Sequence, residues 1–182
     1  MDIVKHLKKH TERIHSQLLN ASIKERQLLK TTTLRFYFLL PDFENVVHQH
    51  LKITIDKDQL VSDIVEGHLE KYQKAVEKSN AEIDEYGDDF EELEQMEIFI
   101  LEAFENATSS SEDIHSLEKL FTGIIDVLDY YENFSDRPEY WNSLLEKELS
   151  FQIELLNLLK SPEDFDSFIY QKRYEDVDFS EI

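Results

Sequence analysis

The sequence has no cysteine, and only three glycines and three prolines in 182 residues. Without cysteine there can be no disulfide, no thiolate metal site and no cysteine nucleophile. So few turn-formers argue against a fold of many short strands, and the expected class is all-α. No apolar run approaches the roughly 20 residues a membrane-spanning helix needs. The opening MDIVKHLKKH has neither the apolar centre nor the cleavage site of a signal peptide. A soluble cytoplasmic protein is the expectation. Gly67, Gly87 and Gly123 stand far apart, so no glycine-rich phosphate loop is present. There is no serine nucleophile elbow either, no cofactor is expected, and the reading leans away from an enzyme.

Cations are also missing from one long stretch. Residues 79–118 hold fourteen Asp/Glu and no Lys or Arg, whereas residues 1–35 hold eight Lys/Arg against three Asp/Glu. The whole chain carries a net charge of −21. A field of that sign repels nucleic acid and anionic membrane and attracts basic partners.

What is present is a core. Hydrophobic residues make up 41% of the chain, with twelve Phe, eight Tyr and Trp141. Disordered chains are poor in aromatics, so a single helical domain over residues 1–182 is expected, closing in a loosely ordered acidic tail at 174–182. Ile3, Leu7, Ile14 and Leu18 mark a first helix from Asp2 to about Asn20, with Lys5, Lys8, Lys9 and Arg13 elsewhere around it. Ser22 and Glu25 have capping-box spacing for a second helix, stopped by Pro41. A short helix follows in PDFENVVHQHL, and KITID reads as a connector. Asp56 caps a helix carrying Leu60, Ile64, Leu69, Tyr72 and Val76. Phe90, Leu93, Met96, Ile100, Leu101 and Phe104 mark an amphipathic helix inside the acidic block. After the loop NATSSSED comes a helix bearing Leu117, Leu120, Phe121, Ile124, Val127, Leu128 and Tyr131. Pro138 and Pro162 bracket a long last helix, and Ser161-Pro162-Glu163-Asp164 predicts the start of a short one. Six or seven helices are expected.

Four stretches, LRFYFLLPDFENV, YGDDFEELEQMEIFILEAF, IHSLEKLFTGIIDVLDYYE and EKELSFQIELLNLL, together resemble the bacterial YjaG-like family in order and spacing. The resemblance implies a compact all-α domain. It implies no activity, since that family has no established reaction or catalytic residues to carry over.

Two Glu-x-x-His pairs, Glu12/His15 and Glu112/His115, have the spacing used by di-metal carboxylate bundles. Their facing is wrong for that role. Glu12 lies about 200° around the helix from the core residue Ile14, at roughly 100° per residue. Glu112 falls in line with Ser116 and Lys119 on a solvent face. His6/His10 and His48/His50 lack a third ligand nearby and read as surface histidines. No metal site is expected, and no loop has the alternating ligands and central glycine of a calcium site.

Glu148 and Gln152 fall on the apolar arc of the long helix with Trp141, Leu145, Leu155 and Leu159. They read either as a buried polar pair bonded to another element or as the centre of a small enzyme's pocket. The stretch DEYGDDFEELE puts seven carboxylates into eleven positions, Asp84, Glu85, Asp88, Asp89, Glu91, Glu92 and Glu94, with Tyr86 and Phe90 among them. It reads either as the solvated face of a helix or as the docking surface of an immunity- or inhibitor-type protein for a basic partner.

Overall fold

A computed structural model describes residues 3–182, with side chains from His6 onward. Asp2, and the side chains of Ile3 and Lys5, lie outside the described residues. The described chain is entirely helical in its regular structure, with no strand. Nine α-helices replace the expected six or seven: α1 (Ile3–Leu19), α2 (Ile23–Tyr37), α3 (Phe43–Leu51), α4 (Lys57–Glu66), α5 (Glu70–Glu82), α6 (Gln95–Ala107), α7 (Ile114–Phe134), α8 (Pro138–Leu158) and α9 (Ile169–Tyr174). None of these helices is long and apolar enough to cross a membrane.

Helix starts follow local chemistry. Ser22 Oγ accepts from the Glu25 N–H at 3.2 Å, while Glu25 Oε2 accepts from the Ser22 N–H at 2.7 Å, closing the expected capping box of α2. Asp56 Oδ1 accepts from the Gln59 N–H at 2.8 Å and starts α4. Pro138 opens α8 at a position where a missing N–H costs nothing.

Two elements differ from expectation. The helix predicted to carry Leu60 through Val76 breaks at Gly67, whose φ of 77° needs a residue without Cβ strain. The His68 N–H then bonds back to the Asp63 carbonyl at 2.8 Å, ending α4 and letting α5 start in a new direction. All five marker residues remain buried, so the face was correct and the continuity was not. The second difference lies at Ser161, which makes no cap bond and opens only a one-turn 3-10 segment, Pro162–Asp164, before α9 begins at Ile169.

α7 lies along α8, α6 packs on α7, and α2 touches α4, α6, α7 and α9, which makes α2 the central rod. Its burial on several sides includes Lys30 and Thr31, Thr32 and Thr33. The hydroxyls of Thr32 and Thr33 each donate to the carbonyl four residues back at 2.7 Å, which satisfies them without leaving the helix. Lys30 Nζ donates to the Ser109 carbonyl at 2.6 Å, just past the end of α6. Burial pushes its ammonium down to about 8, opposed by Asp113. The α2–α7 approach is close: a Cβ on Gly123 would meet the Tyr37 hydroxyl at 2.6 Å. That hydroxyl donates to the Leu120 carbonyl at 2.8 Å.

An aromatic cluster closes the far end. Tyr131 stacks on Trp141 with ring centroids 4.3 Å apart, and Phe179 packs against Phe36, Tyr131 and Trp141. Of the acidic tail expected over 174–182, Tyr174 is buried in the last turn of α9 and the remainder has no helix. It is nevertheless tied down: Phe179 is buried, its carbonyl accepts the Tyr131 hydroxyl, and Glu181 pairs with Arg137.

Candidate functional site

Residues 83–94 form an irregular loop between α5 and α6, where the sequence predicted a helix through Phe90 and Leu93. The physical reason is charge. Acids spaced three and four apart repel along a helix face when no cation answers them, and Gly87 adds a further break. The loop instead turns on itself, with the Gly87 N–H bonding to the Asp84 carbonyl at 3.0 Å and Asp84 Oδ1 accepting from the Tyr86 N–H at 3.1 Å. α6 starts only where Glu97 Oε2 can accept from the Glu94 N–H at 2.9 Å. The solvated helix face expected here is therefore a solvated loop.

All nine residues singled out in this stretch, Asp84, Glu85, Tyr86, Asp88, Asp89, Phe90, Glu91, Glu92 and Glu94, are exposed. Tyr86 is 97% exposed and Phe90 45%. Among the described residues, no Lys, Arg or His pairs with any of the loop's seven carboxylates. Elsewhere, Phe99 in the second turn of α6 meets Tyr130, and Tyr130 lies 4.8 Å from Phe134, which is 66% exposed.

Glu148 and Gln152 are both fully buried, one turn apart on α8. Tyr170 donates to Glu148 Oε1 at 2.5 Å, Tyr174 donates to Oε2 at 2.6 Å, and Arg173 Nε stands 3.5 Å from Oε2. Burial pushes the carboxyl up to about 7, against the pull of the two tyrosines, Arg173 and Gln152. Gln152 Nε2 donates to the Phe121 carbonyl at 2.8 Å, leaving Oε1 to accept from His10 Nε2 at 2.8 Å. His10 is therefore not the surface histidine the sequence predicted. Burial, the largest effect on it, pulls its imidazole below the usual histidine value, opposed by the bond to Gln152.

Sequence reasoning missed Tyr170, Arg173, Tyr174 and His10. Tyr170 and Tyr174 carried a signal, since residues four apart share one helix face. His10 carried none, because its partner is 142 positions away.

The remaining candidates disperse. His15 Nδ1 reaches Glu118 on α7 at 2.7 Å, and Glu12 points elsewhere, exposed. Glu112 precedes α7, so it shares no helix face with His115. His48 bonds Thr54 and His50 bonds Glu97. Among the described residues, no three His, Asp or Glu side chains converge as metal ligands.

Two clefts open on the surface. One of about 420 Å³ lies between α6 and α7, lined by Tyr37, Glu102, Lys119 and Asp126 among others. The other, about 370 Å³, is a groove along α8 beside Phe151 and Arg173. Neither is lined by Glu148 or Gln152. No family model matches the chain, and neither does any curated protein or solved structure compared with it.

Proposed function

We propose that the protein is a non-catalytic binding module that docks a basic protein through the loop 83–94, in the manner of an immunity- or inhibitor-type protein. One observation carries this reading: seven carboxylates without an internal cation share one loop with Tyr86, a large aromatic side chain that is 97% exposed. None of these carboxylates has a cationic partner within the described residues, and an aromatic needed for the core would be buried. Exposed aromatics within a charged rim are typical anchors of a protein interface. A small enzyme around Glu148 and Gln152 is the competing reading. It has less support, because both side chains are sealed in the core and bonded within it.

Charge steering acts on encounter, and exposed charges are screened beyond about 8 Å at physiological salt. Capture of a basic partner from a lysate of the source cell should therefore fall steeply as salt rises. The fourfold variant Asp88→Asn, Asp89→Asn, Glu91→Gln, Glu92→Gln should lose the partner at low salt while melting no lower than the wild type, since it relieves like-charge repulsion. Tyr86→Ala should weaken capture without loss of stability. Equal recovery of the same proteins by the wild type and the fourfold variant would sink the reading.

A further inference from the structure

We infer that the aromatic groove holding Phe179 is a docking site for the loop 83–94 of a second copy of this chain, which enters through Asp89-Phe90-Glu91-Glu92. The pattern Asp-Phe-x-Glu occurs twice in the sequence, at residues 89–92 and 178–181, followed by Leu93 and Ile182 respectively. One occurrence fills the groove, and the other stands exposed on the loop.

Four helices build the groove. Phe36 of α2 lies 5.0 Å from Tyr174 of α9, and Tyr131 of α7 stacks on Trp141 of α8. The Phe179 ring sits among these four, with centroids between 5.5 and 6.3 Å away. Tyr131 donates its hydroxyl to the Phe179 carbonyl. Arg137, just before α8, grips Glu181 with two donors, Nε to Oε1 at 3.0 Å and Nη2 to Oε2, a fork that fits a carboxylate. Asp178 Oδ1 accepts from the Ser180 N–H at 2.9 Å, the short turn that aims ring and carboxylate together. All of these contacts come from residues 178–181. Asp89, Phe90 and Glu92 offer the same groups in the same order. Glu91 stands where Ser180 is, a residue whose side chain bonds only to Asp178. Phe90 is 45% exposed, and Glu92 pairs with no cation among the described residues.

Placement suits an exchange between copies. The loop runs directly into α6, whose Phe99 meets Tyr130 of α7, the neighbour of Tyr131 in the groove. Loop and groove therefore share one end of the bundle. Two copies meeting at that end can each lend a loop to the other's groove, which closes a twofold dimer and leaves nothing to extend a filament. Residues 178–181 compete for the same groove, so the dimer forms only as far as that segment lifts. Repulsion between two chains of net charge −21 also opposes it.

The exchange uses the loop without resting on its docking of a basic protein, and salt separates the two. Sedimentation equilibrium on the full-length protein tests it. Glu181→Gln weakens the segment's grip at the surface and should dimerise about tenfold more tightly than the wild type. Phe179→Ala empties the groove and should do so by more; Glu181→Gln carries the test alone where that variant does not fold. Adding Phe90→Ala to Glu181→Gln should restore the monomer, whereas adding Tyr86→Ala, outside the pattern, should not. Raising salt from about 50 to 500 mM should tighten the dimer by screening the repulsion, the opposite of its effect on capture of a basic partner. Glu181→Gln that stays monomeric at about 500 μM would overturn the exchange. So would a dimer that survives Phe90→Ala, or one that weakens as salt rises.

Discussion

At pH 5, Glu148→Leu should unfold with about 3–5 kcal/mol less free energy than the wild type, read from urea denaturation. Leucine approximates the volume but accepts nothing. It strands the hydroxyls of Tyr170 and Tyr174 in an apolar setting and leaves Arg173 without its carboxyl partner. Each stranded polar group costs about 1–3 kcal/mol, which outweighs the gain from a more apolar side chain. The deficit should narrow with pH. The wild-type carboxyl is favoured in its neutral form, and raising the pH from 4.5 through about 7 withdraws about 3 kcal/mol of stability that a leucine never had. At pH 8 the two proteins should therefore differ by only about 1–2 kcal/mol or less. Unchanged stability at pH 5 would mean that the tyrosines find other acceptors and that the carboxyl is not what organises them.

Lys30 has the opposite sign. Its folded value of about 8 lies below the ordinary 10.5, so its buried charge costs stability at neutral pH and the cost is relieved as pH rises above about 8. The loss from Glu148 is complete near pH 7 and the gain from Lys30 begins near pH 8. Counting these two groups alone, their contribution to stability is lowest between about pH 7 and pH 8.

Local signals survived folding well. Ser22, Asp56 and Pro138 start helices because their chemistry is settled within three or four residues. Every apolar marker on α7 is buried because 3.6-residue periodicity is a property of the segment alone. Gly67 was misleading, since Leu60, Ile64, Leu69, Tyr72 and Val76 keep nearly helical spacing across it. Only the left-handed turn, which periodicity does not register, separates α4 from α5. Phe90 and Leu93 misled in the other direction: their spacing to Met96 is helical, but unanswered acids override it. The polarity of the Glu148 face was legible as an anomaly on an apolar arc. Its partners were not, because Tyr170 and His10 arrive from opposite ends of the chain and nothing local pairs them.

Phe179→Ala should cost about 3–5 kcal/mol, a core-sized penalty three residues from the C-terminus. The ring packs between Phe36, Tyr131 and Trp141, and its removal leaves a gap that the stacked Tyr131–Trp141 pair can close only by giving up its geometry. Trp141 is the sole tryptophan, so its fluorescence reports on this site without labelling. The variant should show a shifted emission maximum in the folded state and a lower denaturant midpoint. A native-like spectrum with an unchanged midpoint would mean that residues 175–182 contribute nothing to the core.

The cation-free stretch has a consequence for protease resistance. An exposed loop without secondary structure is normally where a folded protein is first cut. Trypsin needs lysine or arginine, and none lies between Lys78 and Lys119, so the most accessible segment offers it no bond to cleave. A glutamate-directed protease meets four sites in the same loop, at Glu85, Glu91, Glu92 and Glu94. The native protein should therefore pass a tryptic digest with this loop intact and be nicked there first by the acidic-specific enzyme. A bound basic partner would then be visible as protection against the second protease at bonds the first never touches.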